Sequence, residues 1–365
     1  MTTTTTAAIL REPEGKFSIE PVELADLGPK EVLVRIVGAG FCHTDMMPRG
    51  LAQWVLPAIL GHEGSGIVEG IGSEVDGVRV GDSVVLTFAS CGVCPQCVTA
   101  HPAYCVDFLG LNMSAKKPDG TTSANDAQGA PVANRWFGQS SFAHHAIVGE
   151  RGVVVVDSDL PLETLGPLGC GIMTGAGAVL NVMDVKPGQS IVVFGAGAVG
   201  LAAVMAAKVA GATDIVAVDL HESRLDLARE LGATRVVSAA QDDLREAIVA
   251  GGIGMDHALD TTGVASVMNL AVTTLAYGGG LILVGASIDQ VTVHPTQLSG
   301  RRVTYVFEGD ADPKTFVPYL ITLWRDGRFP FDRLVKTYPF DQIDVAEADS
   351  KSGIAVKPVL LLPTS

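Results

Sequence analysis

The chain has 365 residues, of which 47% are hydrophobic and 18% charged. That is enough apolar material for two packed domains and excludes a disordered chain. A net charge of −15 argues against nucleic acid and anionic membranes as partners, because both reward clustered Lys and Arg.

The N-terminal ten residues (MTTTTTAAIL) carry neither the basic region nor the apolar run of a secretory leader, so a cytoplasmic protein is expected. Residues 31–38 (EVLVRIVG) alternate as a strand does, and residues 66–72 (GIVEGIG) form a short glycine-punctuated strand. Many such strands predict a β-rich first domain, a sandwich or partial barrel. Residues 112–135, polar and small, are read as a long surface loop. After about Cys170 the rhythm changes. Residues 191–194 (IVVF) predict a buried strand, Gly200–Ala210 a helix, residues 214–219 (DIVAVD) a strand and Ser223–Leu231 a helix ending at Gly232. Further strands follow at 257–260 and 280–285. Strands alternating with helices predict a doubly wound parallel sheet, and the mixed elements after Val306 predict a return to the first domain. The uncharged stretch Thr261–Ile288 is dotted with Thr, Ser and Asn and broken by three glycines at 278–280, which argues against a membrane span.

Gly195, Gly197 and Gly200 make the pattern G-x-G-x-x-G between a predicted strand and a predicted helix. In that setting the glycines allow a tight turn, close approach of a pyrophosphate and close helix–strand packing. Asp219 closes the next strand 19 residues after Gly200, where a carboxylate accepts from a ribose 2′-hydroxyl and repels a 2′-phosphate, favouring NAD over NADP. Arg224 is near enough to flank the adenosine, and equally fits a solvated helix position.

Four of the six cysteines, Cys91, Cys94, Cys97 and Cys105, lie within one short segment. Four thiolates so spaced suit a closed, structural zinc site, and the spacing matches no iron–sulfur pattern we would expect. Cys42, His62 and Cys170 together have the composition of an open catalytic zinc site. Taken alone, each is more often a buried, inert cysteine or a polar histidine than a ligand.

Taken together, the segments around Cys42 to Asp45, Gly61 to Gly64, the four-cysteine lobe, Gly169 to Gly171 with Thr174, Gly195 to Gly200 and Asp219 stand in one order that resembles the zinc-containing medium-chain alcohol dehydrogenases. The resemblance implies an α/β fold: a GroES-like β-rich catalytic domain over 1–171 with a zinc lobe at 88–108, a Rossmann NAD-binding domain over 172–305, and a C-terminal return over 306–365. It implies two zinc ions per chain, with Cys42, His62 and Cys170 as the catalytic ligands and Glu63 as the adjacent carboxylate. Asp45 then orients His62, Thr44 takes the substrate proton, and His43 meets the cofactor pyrophosphate. Thr174, Val199 and Ala286 become contacts on the nicotinamide side. The chemistry implied is hydride transfer between an alcohol and NAD, with domain closure excluding water.

One departure concerns the proton path. Met47 stands where many relatives have a histidine, which leaves the last step to water or His43. Met47 and Trp54 make the pocket apolar or else serve ordinary core packing, and with residues 137–142 (FGQSSF) they resemble the aryl-alcohol and geraniol dehydrogenase branch. The expected substrates are therefore aromatic or allylic primary alcohols. A general aliphatic or glutathione-linked formaldehyde dehydrogenase is the second reading, and a catalytically silent dinucleotide-binding relative the third. A homodimer or homotetramer is implied, with the segments 280–285 and 291–294 near a subunit interface.

Overall fold

The computed structural model describes residues 3–50, 55–287 and 289–363. They divide into two compact units, the first made of Met1–Cys170, Asp312–Tyr319 and Leu334–Ser365, the second of Gly171–Ala311 and Leu320–Arg333.

The first unit opens with β1 (Thr3–Leu10), β2 (Phe17–Leu24), β3 (Glu31–Gly40), β4 (Ala58–Ile59), β5 (Glu63–Ile71), β6 (Ser83–Leu86), β7 (Ala124–Asp126), β8 (Pro131–Val132), β9 (His145–Gly149) and β10 (Val153–Val156). One sheet runs β4-β1-β2-β7-β8. The other is organised on β3, which buries Val32, Val34 and Ile36 on one face and pairs antiparallel with β5 and β9. That register sets Gly40 opposite Glu63. It therefore places the residues just after β3, Cys42 to Asp45, beside those at the start of β5, His62 and Glu63.

In the second unit, β11 (Ser190–Phe194), β12 (Asp214–Asp219), β13 (Arg235–Ser238), β14 (Met255–Asp260), β15 (Leu275–Leu283) and β16 (Arg302–Tyr305) form one sheet in the order β13-β12-β11-β14-β15-β16. All its pairs are parallel. The strand order reverses between β11 and β14, and ligands of such sheets bind beyond the carboxyl ends of the strands at that reversal. Ile191 to Phe194 are all buried, as strands covered on both faces require. The chain then adds β17 (Val335–Pro339) and β18 (Lys357–Leu361) to the first unit, with β18 antiparallel to β3 so that Val359 faces Gly40.

Two expectations are corrected. Residues 112–135 are not a surface loop. They contain β7 and β8, and Asn112, Ser123, Asp126, Asn134 and Arg135 are all buried. The polar side chains there serve as partners for backbone, as when Asn134 accepts from the Ser123 N–H and Asp126 from the Gln128 and Ala130 N–H groups. The return to the first unit begins at Asp312 rather than 306, and Leu320–Arg333 packs with the second unit. Short mixed elements carry no periodicity that would reveal this. Among the described residues no single helix is long and apolar enough to cross a membrane.

Arg135 anchors the corrected segment. Its guanidinium donates to Glu31 Oε1 at 2.5 Å and to the Ile147 carbonyl at 2.6 Å. Burial works against the Glu31 carboxylate, but the charge of Arg135, the Gly28 N–H and Lys117 outweigh it and hold its pKa below the ordinary value. Arg135→Met is expected to cost about 2–4 kcal/mol in urea unfolding at pH 7. A folded pKa held low gives stability that is present above the unfolded carboxylate value, about 4.3, and lost as pH falls through the folded one. The gap between variant and wild type should therefore narrow in acid.

Candidate active site

Cys42, His62, Glu63 and Cys170 bring one ligand atom each to within 4.8 Å of one another, all inside the first unit. His62 is wholly buried. Its Nδ1 bonds Asp45 Oδ1 at 2.7 Å, while its Nε2 is buried with no hydrogen-bond partner among the described residues. A buried nitrogen is not normally left bare. A neutral imidazole that donates from Nδ1 presents a lone pair at Nε2, as a metal ligand does. Burial opposes a charge on His62, but the charges of Asp45 and Cys42 overcome it and raise its pKa well above the usual value, so a metal ion bound at Nε2 would displace a proton from it. The Cys42 thiol is held well below its usual range by a hydrogen bond with Cys170 and by the Lys357 and His62 charges, against burial. Two thiols, one of them readily ionised, and a bare imidazole nitrogen fit zinc.

Asp45 is buried and accepts four hydrogen bonds: from His62, from the Gly61 and Cys42 N–H groups at 3.1 and 3.0 Å, and from the Trp136 indole at 3.0 Å. Thr44 places its hydroxyl 3.9 Å from Cys42 Sγ. His43, exposed, and Met47, half-buried, share the short helix His43–Arg49 with it. Trp54 lies outside the described residues.

Several residues that shape this site were not singled out from sequence. Lys357, delivered by β18 and buried, donates to both Glu63 oxygens at 2.8 Å. Burial disfavours its charge, yet Glu63 and Cys42 keep its pKa raised. Glu63 thus faces the cluster with both oxygens already engaged. Gln139, wholly buried, donates to the His62 carbonyl at 2.9 Å and accepts from the Gly64 N–H at 3.1 Å. Phe137 stacks on the His62 ring with centroids 4.5 Å apart. For Phe137 and Gln139 the one signal in sequence is the FGQSSF segment, which shows kinship without showing what its side chains touch; Lys357 has none.

Cys91, Cys94, Cys97 and Cys105 gather their sulfurs within 4.8 Å. Hydrogen bonds from the Val106 and Cys97 backbone bring the Cys94 thiol down to about 6, while burial lifts Cys105 to about 12. Four convergent sulfurs, with no fifth ligand group beside them among the described residues, suit a closed zinc site.

In the second unit Gly195 has φ of 91° and Gly197 caps the helix Ala198–Ala210. A Cβ on Gly197 would meet nothing within 4 Å, whereas one on Gly200 would lie 1.8 Å from the Gly195 carbonyl oxygen. The space in front of Gly197 and the free N–H groups of the helix suit a pyrophosphate. Asp219 accepts from the Ala196 N–H at 2.7 Å and the His221 N–H at 2.9 Å, so its carboxylate is held across the end of the glycine turn. Arg224 sits 3.9 Å from it with Nε buried and without a partner among the described residues. Thr174 donates to Glu308 at 3.4 Å, Val199 is half-buried and Ala286 is exposed just beyond β15.

The chain is similar to known proteins along nearly its whole length. The family described as "Alcohol dehydrogenase GroES-like domain" matches residues 28–158, and that described as "Zinc-binding dehydrogenase" matches 198–329. A geraniol dehydrogenase of Castellaniella defragrans is 45% identical over 362 residues, covering 97% of each chain. The crystal structure of an alcohol dehydrogenase zinc-binding domain protein from Burkholderia ambifaria superposes with a TM-score of 0.97 at 47% identity, covering 100% of both chains. That of a benzyl alcohol dehydrogenase from Acinetobacter calcoaceticus gives 0.93 at 42% identity, covering 99% of this chain and 100% of that one. The chain belongs to the zinc-dependent medium-chain alcohol dehydrogenases, with the GroES-like and Rossmann-like domains of that family.

Gly200→Ala should weaken NAD binding by about tenfold or more, because a Cβ in contact with the Gly195 carbonyl must push the turn open. Titration of NADH fluorescence reads this. Unchanged affinity would show that the turn tolerates a side chain and is not the phosphate cradle.

Proposed function

We propose that this chain oxidises primary alcohols, aromatic or allylic ones in preference, to their aldehydes with NAD as hydride acceptor, and runs the reverse with NADH. The observation that carries the reading is the bare Nε2 of His62 among Cys42, Cys170 and Glu63, on a ring whose face is covered by Phe137. The 45% and 42% identities to a geraniol and a benzyl alcohol dehydrogenase support the same substrate class.

Cys42, His62 and Cys170 would hold a zinc ion, whose positive charge would lower the pKa of an alcohol hydroxyl. Asp45 keeps the proton of His62 on Nδ1, so that Nε2 stays a ligand. Thr44 accepts the proton the alcohol gives up, and water or His43 carries it to solvent, since Met47 has no group to do so. Glu63, paired with Lys357, stands beside the site as a fixed charge. Gly195, Gly197 and Gly200 take the pyrophosphate, with His43 assigned to it as well. Asp219 takes the ribose hydroxyls, Arg224 flanks the adenosine, and Thr174, Val199 and Ala286 border the nicotinamide. Cys91, Cys94, Cys97 and Cys105 hold a second, structural zinc, making two per chain.

A homodimer or homotetramer is supported by β16, a sheet edge with Arg302, Thr304 and Tyr305 exposed, and by the exposed Tyr277, Val291 and Leu298. The gathering of all six cysteines into two groups suited to zinc as thiolates supports a reducing compartment, the cytoplasm.

The decisive assay follows NADH absorbance with benzyl alcohol, geraniol and ethanol, with NAD and NADP, before and after chelation. The expected result is NAD-linked turnover of the two bulky alcohols, lost when zinc is removed. Turnover of ethanol above both would favour the general aliphatic reading. No turnover by protein carrying two zincs would point to another substrate, such as a glutathione adduct of formaldehyde, or to a silent relative. Light scattering at the mass of one chain would remove the oligomer.

A further inference from the structure

The two cysteine groups are joined by a line of aromatic rings. Phe88 lies three residues before Cys91, and Phe108 three residues after Cys105. Their centroids are 5.6 Å apart. Phe108 turns its edge to Phe137 at 6.4 Å and 86°, and Phe137 lies on His62 at 4.5 Å and 26°. All three phenylalanines are buried. Asn112, also buried, ties the helix Phe108–Met113 to the backbone of Ala89, donating to its carbonyl at 3.0 Å and accepting from its N–H at 2.8 Å. A second strut runs through Gln139, which reaches the carbonyls of both Thr87 and His62.

Two features indicate that this line carries constraint. Phe137 has φ of 50° and ψ of 35°, a left-handed conformation that a non-glycine residue keeps only when its surroundings hold it there. The lobe itself has little core, because Val93, Val98, Val106 and Leu109 all point to solvent. What closes the lobe is the meeting of its four sulfurs, and a small element so built takes its order from the ion it binds.

We propose that the lobe of Cys91, Cys94, Cys97 and Cys105 positions the metal ligand His62 through Phe108 and Phe137. Metal in the lobe then tightens the hold on metal at Cys42, His62 and Cys170, and by linkage the reverse is also true. Phe108 and Phe137 are positioning residues: they fix the plane of His62 from its face, as Asp45 fixes it from its edge. The inference rests on the reading that both groups bind zinc.

The test uses the full-length holoprotein, with zinc counted by elemental analysis. Phe108→Ala leaves every proposed ligand in place. Zinc release to a chromogenic chelator is followed for both sites, and the visible spectrum is recorded with cobalt(II) at the catalytic group. The expected result is release from the Cys42, His62 and Cys170 group faster by about tenfold, with shifted cobalt bands. Phe108→Leu, which keeps apolar volume but has no ring edge, should move both readouts in the same direction and serves if the alanine variant does not fold. Val98→Ala, at an exposed lobe position, should change neither. Wild-type release rates and spectra in a fully loaded Phe108 variant would overturn the coupling alone, as would an equal effect of Val98→Ala. Wild-type protein that never holds metal at the Cys42 group would overturn the underlying reading and the coupling with it.

Discussion

The carboxylate of Asp45 is the point on which the catalytic half of the molecule turns. Wholly enclosed, it accepts from an imidazole, an indole and two backbone N–H groups. An ionised carboxylate is expensive to bury, and only a full set of donors makes it tolerable. That requirement fixes the geometry around it. The turn after β3 must offer Cys42 N–H, the turn before β5 must offer Gly61 N–H, and Trp136 must reach in from a distant part of the chain. His62 is left one orientation, with Nε2 toward the thiols. The convergence of His62 with the two thiols is in this sense a by-product of satisfying one buried carboxylate.

A similar economy governs the second unit. Asp219 braces the glycine turn through the Ala196 N–H and takes the next residues through the His221 N–H. The carboxylate proposed to read the cofactor ribose is therefore also part of the scaffold that shapes the phosphate cradle. Removing it is expected to disturb both functions, which makes cofactor choice hard to alter at this position alone.

The C-terminal strand is a third constraint. By lying antiparallel to β3 it brings Lys357 under Glu63, 294 residues away in the chain. Breaking such a pair leaves a buried charge without compensation, which is far costlier than never having had the pair. The late return of the chain to the first unit is thus needed for the site as well as for the sheet.

Much of this was legible in the sequence. The strand–glycine–helix pattern around Gly195 and the acidic end of β12 follow from local rules, because a tight turn, a helix N-terminus and a short buried strand are set by neighbours in the chain. The clustered cysteines pointed to four sulfurs gathered in one lobe for the same reason. Resemblance then linked Cys42, His62 and Cys170, whose convergence no spacing could establish. What only the tertiary structure decided is the layer behind them: Trp136 on Asp45, Phe137 on His62, Gln139 across two strands, and Lys357 on Glu63. The misread stretch 112–135 failed in the same way, since small polar residues look like a loop whether they face water or serve buried backbone. Periodicity and motif record what a residue does for its own segment. The partners of a buried polar or aromatic side chain come from segments far apart in sequence, and only folding selects them.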